Sequence, residues 1–376
     1  MKWALVSDRN AADYRLALRE AHGAMGQHAW GYAQALGECP HEEPLRIVAY
    51  DRERPIGGLA AVLYSGGPVR LIESLPFGYG GAFSALEGEP RRQCIGLLCE
   101  ALLAVGRAAG AGIATVQTPP FPDGPELYRE ALRPNFELRS FCQYVELGED
   151  FAVPPFGERG ADAGLRGHLR RNHRRNIRTA EEAGLTVSCV TGEAATAKYC
   201  ALMERRMAEV GGRPRPAEFV RALDHYLGPE GAGWLFLVWD GATAVSGTPL
   251  IGVRDTLDVL LICMDSAAAP LQPNALLCYR AMEWAADRGF RRFNFQSSLR
   301  RDDSLYRWKV GWGAQEAPVS ILTRVLGDIQ PITALAPVEL RAQYGFHYVL
   351  PYPVLEAARA GHPLDGPGLR VFDKGA

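Results

Sequence analysis

Apolar residues recur with the period of a helix in some segments of the chain and with the period of a strand in others, and the order of these segments predicts a mixed α/β fold. In the first half, "DYRLALREAHG" has the spacing of a helix that buries one face. The segment "PLRIVAYDRERPIGGLAAVLYSG" places apolar alternation on both sides of "DRERP", which is typical of a β-hairpin. The rest of this half predicts a strand entering a glycine-rich bend, a long helix and two strands, at residues 69–84, 89–110, 113–121 and 139–147.

The second half repeats this order after a proline- and glycine-rich connector at residues 148–164. A basic helix and a strand precede another long helix, a hairpin that turns at Asp240-Gly241 and again near Arg254-Asp255 and so adds a further strand, a helix and two strands, at residues 165–180, 185–191, 194–212, 234–264, 274–289, 290–296 and 317–325. Each half therefore contains helix, hairpin, strand, helix, strand and strand. We predict two mixed sheets flanked by helices, in domains over residues 1–150 and 151–326, with an extension over 327–376 that packs on the rest.

Composition and charge exclude several classes of protein. A net charge of −2 with 22% charged residues argues against a dedicated nucleic-acid or membrane protein, so any basic cluster is a local feature. The longest apolar runs, such as "VLLICM", are too short to span a membrane, and "MKWALVSDRN" does not have the pattern of a signal peptide. The eight cysteines form no C-x-x-C pair, so we expect a cytoplasmic location, reduced thiols and no metal site. Oligomeric state is left open.

The segment "LRGHLRRNHRRNIRTAEEAG" at residues 165–184 concentrates positive charge that the whole chain lacks. On a helical wheel one side contains the residues able to pack, namely Leu165, Leu169, His173, Asn176, Ile177 and Ala180. The opposite side contains His168, Arg170, Arg171, Arg174, Arg175 and Arg178. One interpretation is a solvated basic face that Glu181 and Glu182 partly neutralise. The other is a phosphate-binding surface, because guanidinium groups bind phosphates in bidentate fashion and a bound anion relieves their mutual repulsion.

Three segments together resemble the FemAB-like group of the GNAT acyltransferase superfamily. They are "SLPFGYGGAFS", "LRRNHRRNIRTAEEAGLTV" and "GFRRFNFQSSLRRDDSLYRWKVGWGAQEAPV", and they occur in the order that the group shows. The resemblance covers roughly residues 20 to 325. It implies two tandem GNAT-like domains, the second of them catalytic, and a final segment, residues 327–376, that returns to the first domain. It also implies acyl transfer to an amine, with aminoacyl-tRNA as co-substrate and no bound cofactor.

The resemblance assigns expected roles to particular residues. Lys309 corresponds to the lysine of the group near the site of transfer, where a fixed positive charge stabilises the tetrahedral oxyanion, and Trp308 and Trp312 would shield it from water. The expected substrate- and phosphate-binding residues are Arg170, Arg171, Arg174, Arg175, Arg178, Tyr79, Gly80, Gly81, Asn294, Gln296, Ser297, Asp303 and Tyr306. The general base is unassigned, with Asp302 and Asp303 as candidates.

The donor site departs from ordinary GNAT enzymes. These carry a Q/R-x-x-G-x-G/A loop that binds the pyrophosphate of acetyl-CoA at a helix N-terminus. The corresponding segment, "AAAPLQPNALLCY", has prolines and no glycine, and Pro273 has no amide proton to donate. An acyl-CoA donor is therefore the alternative rather than the first choice.

Three hypotheses follow. The first is an aminoacyltransferase that uses the acceptor end of aminoacyl-tRNA and modifies an amine of a peptidoglycan precursor or specialised metabolite, without membrane insertion. The second is an acyl-CoA-dependent N-acyltransferase on the same fold. The third is a phosphate- or RNA-binding protein that has lost catalysis.

Overall fold

The computed structural model of the chain describes residues 1–147, 169–298, 300–360 and 369–374. The predicted connector at residues 148–164, together with Leu165, Arg166 and His168, lies outside the described residues. The chain divides into two units, one of Met1–Phe141 with Ala317–Ala376 and one of Cys142–Glu316.

Helices and strands alternate along both units. Up to the connector the elements are β1 (Lys2–Leu5), α1 (Ala11–Glu20), α2 (Trp30–Gly37), β2 (Glu42–Asp51), β3 (Arg54–Tyr64), β4 (Leu71–Ser74), β5 (Ala82–Ser84), α3 (Gly88–Ala108), β6 (Ile113–Gln117), α4 (Pro125–Leu132) and β7 (Phe136–Glu146). Then come α5 (Arg171–Glu182), β8 (Thr186–Val190), α6 (Glu193–Val210), α7 (Ala217–Leu227), β9 (Gly233–Asp240), β10 (Thr243–Val253), β11 (Thr256–Val259) and β12 (Cys263–Met264). The last are α8 (Pro273–Asp287), β13 (Arg292–Asn294), α9 (Ser304–Val310), β14 (Gln315–Val325), α10 (Gln330–Thr333), α11 (Pro337–Tyr344), α12 (Tyr352–Arg359) and β15 (Arg370–Asp373).

Each unit contains a mixed sheet in which one parallel pair is joined through a long helix. In the first unit the order is β1-β2-β3-β4-β6-β14-β7, with β4 and β6 parallel and α3 between them in sequence. In the second it is β7-β13-β11-β10-β9-β8, with β11 and β13 parallel and α8 between them. The hairpins β2–β3 and β9–β10 are antiparallel, as the alternation predicts. The predicted repeat of architecture is confirmed.

The principal cores lie between these helices and their sheets. In the first unit Leu98 and Leu102 of α3 are fully buried against the sheet residues Ile72 and Val116. In the second unit nearly the whole of α8 is buried, because β9 and β10 cover one side and α5 covers another. Burial of this kind is the main favourable contribution to folding, at about 25 cal/mol per Å² of apolar surface.

The C-terminal segment is more regular than its proline-rich composition suggests, since it contains α10, α11 and α12. Ile332, Tyr344 and Val354 join Leu71 and Ile113 in one cluster of the first unit. The Tyr344 hydroxyl donates to the carbonyl of Val69 and accepts from its amide, both at 3.0 Å.

A buried ion cluster holds the same segment. His347 lies 3.0 Å from Glu73 and 3.4 Å from Glu42, and its ring stacks on Tyr64 at 3.9 Å. Burial opposes protonation of His347, but its hydrogen bonds to the two carboxylates outweigh this and raise its pKa to about 9. The imidazolium therefore stabilises the docked segment at neutral pH.

Candidate functional site

The basic helix α5 has the two faces that its sequence predicts. Leu169, His173, Ile177 and Ala180 are buried, and the last two pack into the core that α8 completes. The helix itself begins at Arg171, later than the predicted start at residue 165. Arg170 is its N-cap residue and has no capping side chain, so the positive end of the helix dipole meets further positive charge.

Five arginines form the exposed side of this helix and are called the basic face below: Arg170, Arg171, Arg174, Arg175 and Arg178. Across the described residues, no carboxylate forms a salt bridge with any of them. Glu181, which would partly neutralise them under the solvated-face interpretation, pairs with Arg280 at 3.2 Å, and Arg280 also binds Glu283 at 2.6 Å. Because arginines four residues apart on a helix repel one another, the basic face lowers helix stability by about 0.2–0.5 kcal/mol per pair.

Lys309 lies on a short helix, α9, which the sequence analysis did not predict. Asp303 caps α9, since its side chain accepts the amide hydrogen of Tyr306 and, at 3.3 Å, that of Arg300. The Tyr306 hydroxyl donates to Glu316 at 2.8 Å. These contacts give Asp303 and Tyr306, both predicted to bind substrate, a structural role at the start of the helix.

The Lys309 side chain is buried and holds a neighbouring loop. Its Nζ donates to the main-chain oxygens of Gln296 and Ser297, both at 3.1 Å, and the residue is 3% exposed. Trp308 is half-buried and contacts the rings of Phe295 and Trp312. A positive charge here is shielded from water, so its electrostatic effect on a nearby oxyanion would be larger than at the surface.

A buried carboxylate missed by the sequence reasoning orders that loop. Asp258 on β11 is fully buried, and its Oδ1 accepts from Asn294 Nδ2 at 2.7 Å and from Gln296 Nε2 at 3.3 Å. Asn294 Oδ1 in turn accepts the amide hydrogen of Gln296, whose φ of 62° is unusual for a residue other than glycine. The signal in the sequence was a lone acid inside the apolar segment "TLDVLLICM".

Gln143 on β7 is a second residue that the sequence reasoning missed. Its Oε1 accepts from Ser298 Oγ at 2.6 Å, and its Nε2 donates to the main-chain oxygen of Tyr306 at 3.2 Å. The loop after β13 and the helix α9 are therefore tied to one buried amide. The structure thus brings together Lys309, Trp308, Asn294, Gln296, Ser297, Asp303 and Tyr306.

The basic helix begins against the C-terminal end of α9. The Arg170 amide donates to the oxygen of Gly311 at 3.2 Å. The His173 ring packs edge-on against Trp312 at 4.7 Å and lies 5.8 Å from the ring of Trp308. Burial lowers the pKa of His173, an effect that contact with the main chain of Trp308 opposes. The start of the basic helix and the end of the Lys309 helix are thus in direct contact.

The glycine bend lies in the first unit and is closed on the protein itself. A Cβ on Gly80 would lie 1.9 Å from the main chain of Ser74, and Gly81 has a φ of 78°. Tyr79 is 1% exposed. The two glycines are required by tight packing of the bend within the chain.

His28 contacts this bend, and its two hydrogen bonds hold the imidazole in one tautomer. Its Nδ1 accepts the amide hydrogen of Met25 at 2.9 Å, so Nε2 carries the proton donated to the oxygen of Gly80 at 3.1 Å. Burial lowers the pKa of His28 to about 4, so the ring is neutral over the physiological range.

The acids proposed as general bases have other partners. Asp302 is exposed and forms a bidentate pair with Arg300 at 2.9 and 3.0 Å, whose hydrogen bonds lower its pKa. Asp303 caps α9 as described above. In the described part of the chain, no group of three or more His, Cys, Asp or Glu is arranged to hold a metal ion. None of the described helices combines the length and apolar character that a membrane span requires.

The start of α8 is poor in pyrophosphate donors. Gln272 has a φ of 60° and Pro273 is the first helical residue, so one of the amides that would point at an anion is missing. The side chain of the next residue, Asn274, accepts from Ser246 Oγ at 2.6 Å.

Comparisons with known proteins agree with this architecture. Residues 167–310 match the family described as acetyltransferase (GNAT) domain. A search among curated proteins gave no match. Among solved structures the chain is similar to FemX, with a TM-score of 0.66 and 13% identity over 88% of this chain and 98% of that one.

Two further structures are similar at the level of the fold. One is the C-terminal domain of an Agrobacterium fabrum protein named as a lysylphosphatidylglycerol synthetase, with a TM-score of 0.53 and 12% identity over 91% of this chain and 99% of that one. The other is a tandem GNAT protein from the clavulanic acid biosynthesis pathway, with a TM-score of 0.50 and 13% identity over 87% and 99%. The resemblance to GNAT acyltransferases is confirmed over residues 167–310 by the family match, and the fold of the chain is that of FemX and of tandem GNAT proteins.

Proposed function

We propose that this chain, which carries a GNAT-type domain over residues 167–310 and has the fold of FemX, transfers an aminoacyl group to an amine. The donor in this proposal is aminoacyl-tRNA, and the acceptor is the amine of a peptidoglycan precursor or specialised metabolite. The observation that carries it is the contact of the start of α5, the helix that presents the basic face, with the C-terminal end of the Lys309 helix. A surface suited to phosphates and a buried cation suited to an acyl carbonyl therefore lie on two touching helices within one domain.

In the proposed reaction the acceptor amine attacks the ester carbonyl of the donor. An amide C–N bond forms, the ester C–O bond breaks, and the proton lost by the amine goes to the departing hydroxyl oxygen of the tRNA. The negative charge that builds up on the carbonyl oxygen requires a fixed positive charge nearby. We assign this role to Lys309, whose position the Gln296–Ser297 loop holds by two hydrogen bonds.

The fold of the other two similar structures is compatible with more than one donor. One belongs to a protein named as a lysylphosphatidylglycerol synthetase, which supports transfer of an aminoacyl group. The tandem GNAT structure is described as being without AcCoA, so acetyl-CoA is the ligand considered for that protein, and this supports the second candidate, an acyl-CoA-dependent N-acyltransferase. Pro273 at the start of α8 favours the first candidate, because it removes a pyrophosphate donor.

The experiment is incubation of the purified chain with charged tRNA pools, acyl-CoAs and a panel of amines. Loss of aminoacyl-tRNA that depends on an added amine supports the proposal, and release of CoA thiol supports the second candidate. RNA binding without turnover would contradict both and leave a non-catalytic phosphate- or RNA-binding protein.

Replacement of Lys309 tests its role. Lys309→Met removes the charge and leaves two carbonyls without their donor, so we expect transfer to fall by orders of magnitude and stability to fall by about 1–3 kcal/mol. Lys309→Arg keeps the charge and should retain more stability while remaining slow, because the planar guanidinium does not fit the same site. Lys198→Met, at an exposed lysine of α6, is the matched control. Near-normal turnover of Lys309→Met would exclude Lys309 from the mechanism.

A further inference from the structure

The contact between α5 and α9 has an unusual shape, because a histidine ring occupies the space that a side chain at position 311 would need. A Cβ built on Gly311 would lie 2.1 Å from Cε1 and 2.6 Å from Nδ1 of His173. Gly311 therefore has no room for a larger residue while His173 is present. This interlock places the main chain of the two helices in direct contact, where the Arg170 amide donates to the Gly311 oxygen.

His173 also lies between the two parts of the proposed site, the basic face and the helix of Lys309. It follows Arg170 and Arg171 on the helix, in the turn that begins the basic face. Its ring contacts Trp308, the residue next to Lys309, and Trp312, which is 1% exposed. A displacement of the basic face would therefore be transmitted to α9 through this ring, because close-packed interiors transmit small shifts rather than absorb them.

We propose that His173 is a positioning residue that fixes the distance between the basic face and Lys309. This proposal rests on the proposed function, since it assumes that the basic face binds the phosphates of the acyl donor. His173 touches neither the phosphates nor the reacting carbonyl. It keeps the phosphate-binding arginines in register with Lys309, so that an anchored donor presents its acyl group at the cation. Misplacement of about 1 Å is enough to slow such reactions by about 100-fold.

The contact itself is tested by a double-mutant cycle in thermal unfolding. Gly311→Ala should destabilise the chain, because its new methyl group collides with His173. His173→Ala should also destabilise it, by leaving a cavity against Trp312. The double variant should be less destabilised than the sum of the two single variants, since the methyl group then fills part of the cavity. Additive effects would overturn the interlock.

The positioning role is tested by ¹⁹F NMR of the protein after its seven tryptophans have been labelled as 5-fluorotryptophan. The Trp308 resonance is assigned from Trp308→Phe, and the probe is a 12-nucleotide single-stranded RNA. In the unaltered chain RNA should shift the Trp308 resonance. In His173→Ala it should bind with an affinity within threefold of the original but leave that resonance unmoved.

Kinetics completes the test. In transfer assays His173→Ala should lower kcat by about 100-fold while KM for the donor changes less than threefold, and His173→Phe, which keeps the ring, should restore most of kcat. An equal RNA-induced shift in His173→Ala, or loss through KM alone, would overturn the positioning role. A lack of RNA binding by the unaltered chain would overturn the phosphate-binding basis of both proposals, whereas binding with an uncoupled Trp308 would overturn this one alone.

Discussion

Removal of two arginines from the basic face should weaken RNA binding and at the same time stabilise the helix. Arg171 and Arg175 lie four residues apart on α5, are exposed and have no salt bridge in the described part of the chain. Arg171→Ala/Arg175→Ala removes their mutual repulsion and introduces the best helix former, so we expect the free energy of unfolding to rise by about 0.5 kcal/mol. Arginines whose removal stabilises the protein but weakens binding are retained for function rather than for folding.

The size of the binding effect follows from the number of exposed arginines. If all five contact phosphates of a single-stranded RNA, the slope of log affinity against log salt is about −3.5, and removal of two contacts reduces it to about −2. Between 50 and 200 mM salt, the affinity of the unaltered chain should then fall about 130-fold and that of the double variant about 20-fold.

Fluorescence anisotropy of a labelled 12-nucleotide RNA, titrated at four salt concentrations, measures both slopes. Arg107→Ala is the control, because Arg107 is an exposed arginine in the last turn of α3 and lies in the other unit. A slope flatter than about −1 for the unaltered chain would refute the phosphate-binding interpretation. The same conclusion would follow if the double variant bound with an unchanged slope.

Three further predictions concern buried titratable groups of the described structure. The pKa of His347 is raised from 6.5 to about 9, so its protonation contributes about 3 kcal/mol to the free energy of unfolding, fully present below pH 6.5 and lost as pH rises through 9. His347→Gln should remove this loss of stability at alkaline pH, as measured by urea titrations at pH 6 and 9.5. An unchanged pH dependence would contradict the prediction. The pKa of His28 is lowered to about 4, so the free energy of unfolding should fall as pH falls from 6.5 to 4. His28→Gln should reduce this dependence on pH, and a dependence as steep as in the unaltered chain would contradict the prediction. Asp258→Ala removes two hydrogen bonds to a buried carboxylate and should lower the free energy of unfolding by about 2–4 kcal/mol. The control Asp287→Ala, at an exposed residue, should change it little. Equal effects of the two variants would contradict the role of Asp258 in ordering the loop.

Local patterns predicted the elements because each pattern has a period that one kind of backbone imposes. The wheel of α5 separated the buried His173 and Ile177 from the arginines, since a residue's side on a helix depends only on its position in the chain. The two hairpins were predicted for the same reason, from alternation and a turn. The helix α9 was missed because seven residues are too few to show a clear period, and because Asp303 as its cap resembles an ordinary loop acid.

The sequence by itself determined the fold class, the repeated order of elements and the existence of a basic face. Only the tertiary structure decided which groups meet. Glu181 pairs with Arg280 rather than with the basic face, Lys309 donates to the Gln296 carbonyl, and Asp258 reaches the same loop from another strand. These partners lie 13 to 99 positions apart in the chain. Periodicity records which side of an element a residue occupies. The partner of that residue on another element depends on how the elements pack, so the candidate site is formed only by the tertiary structure.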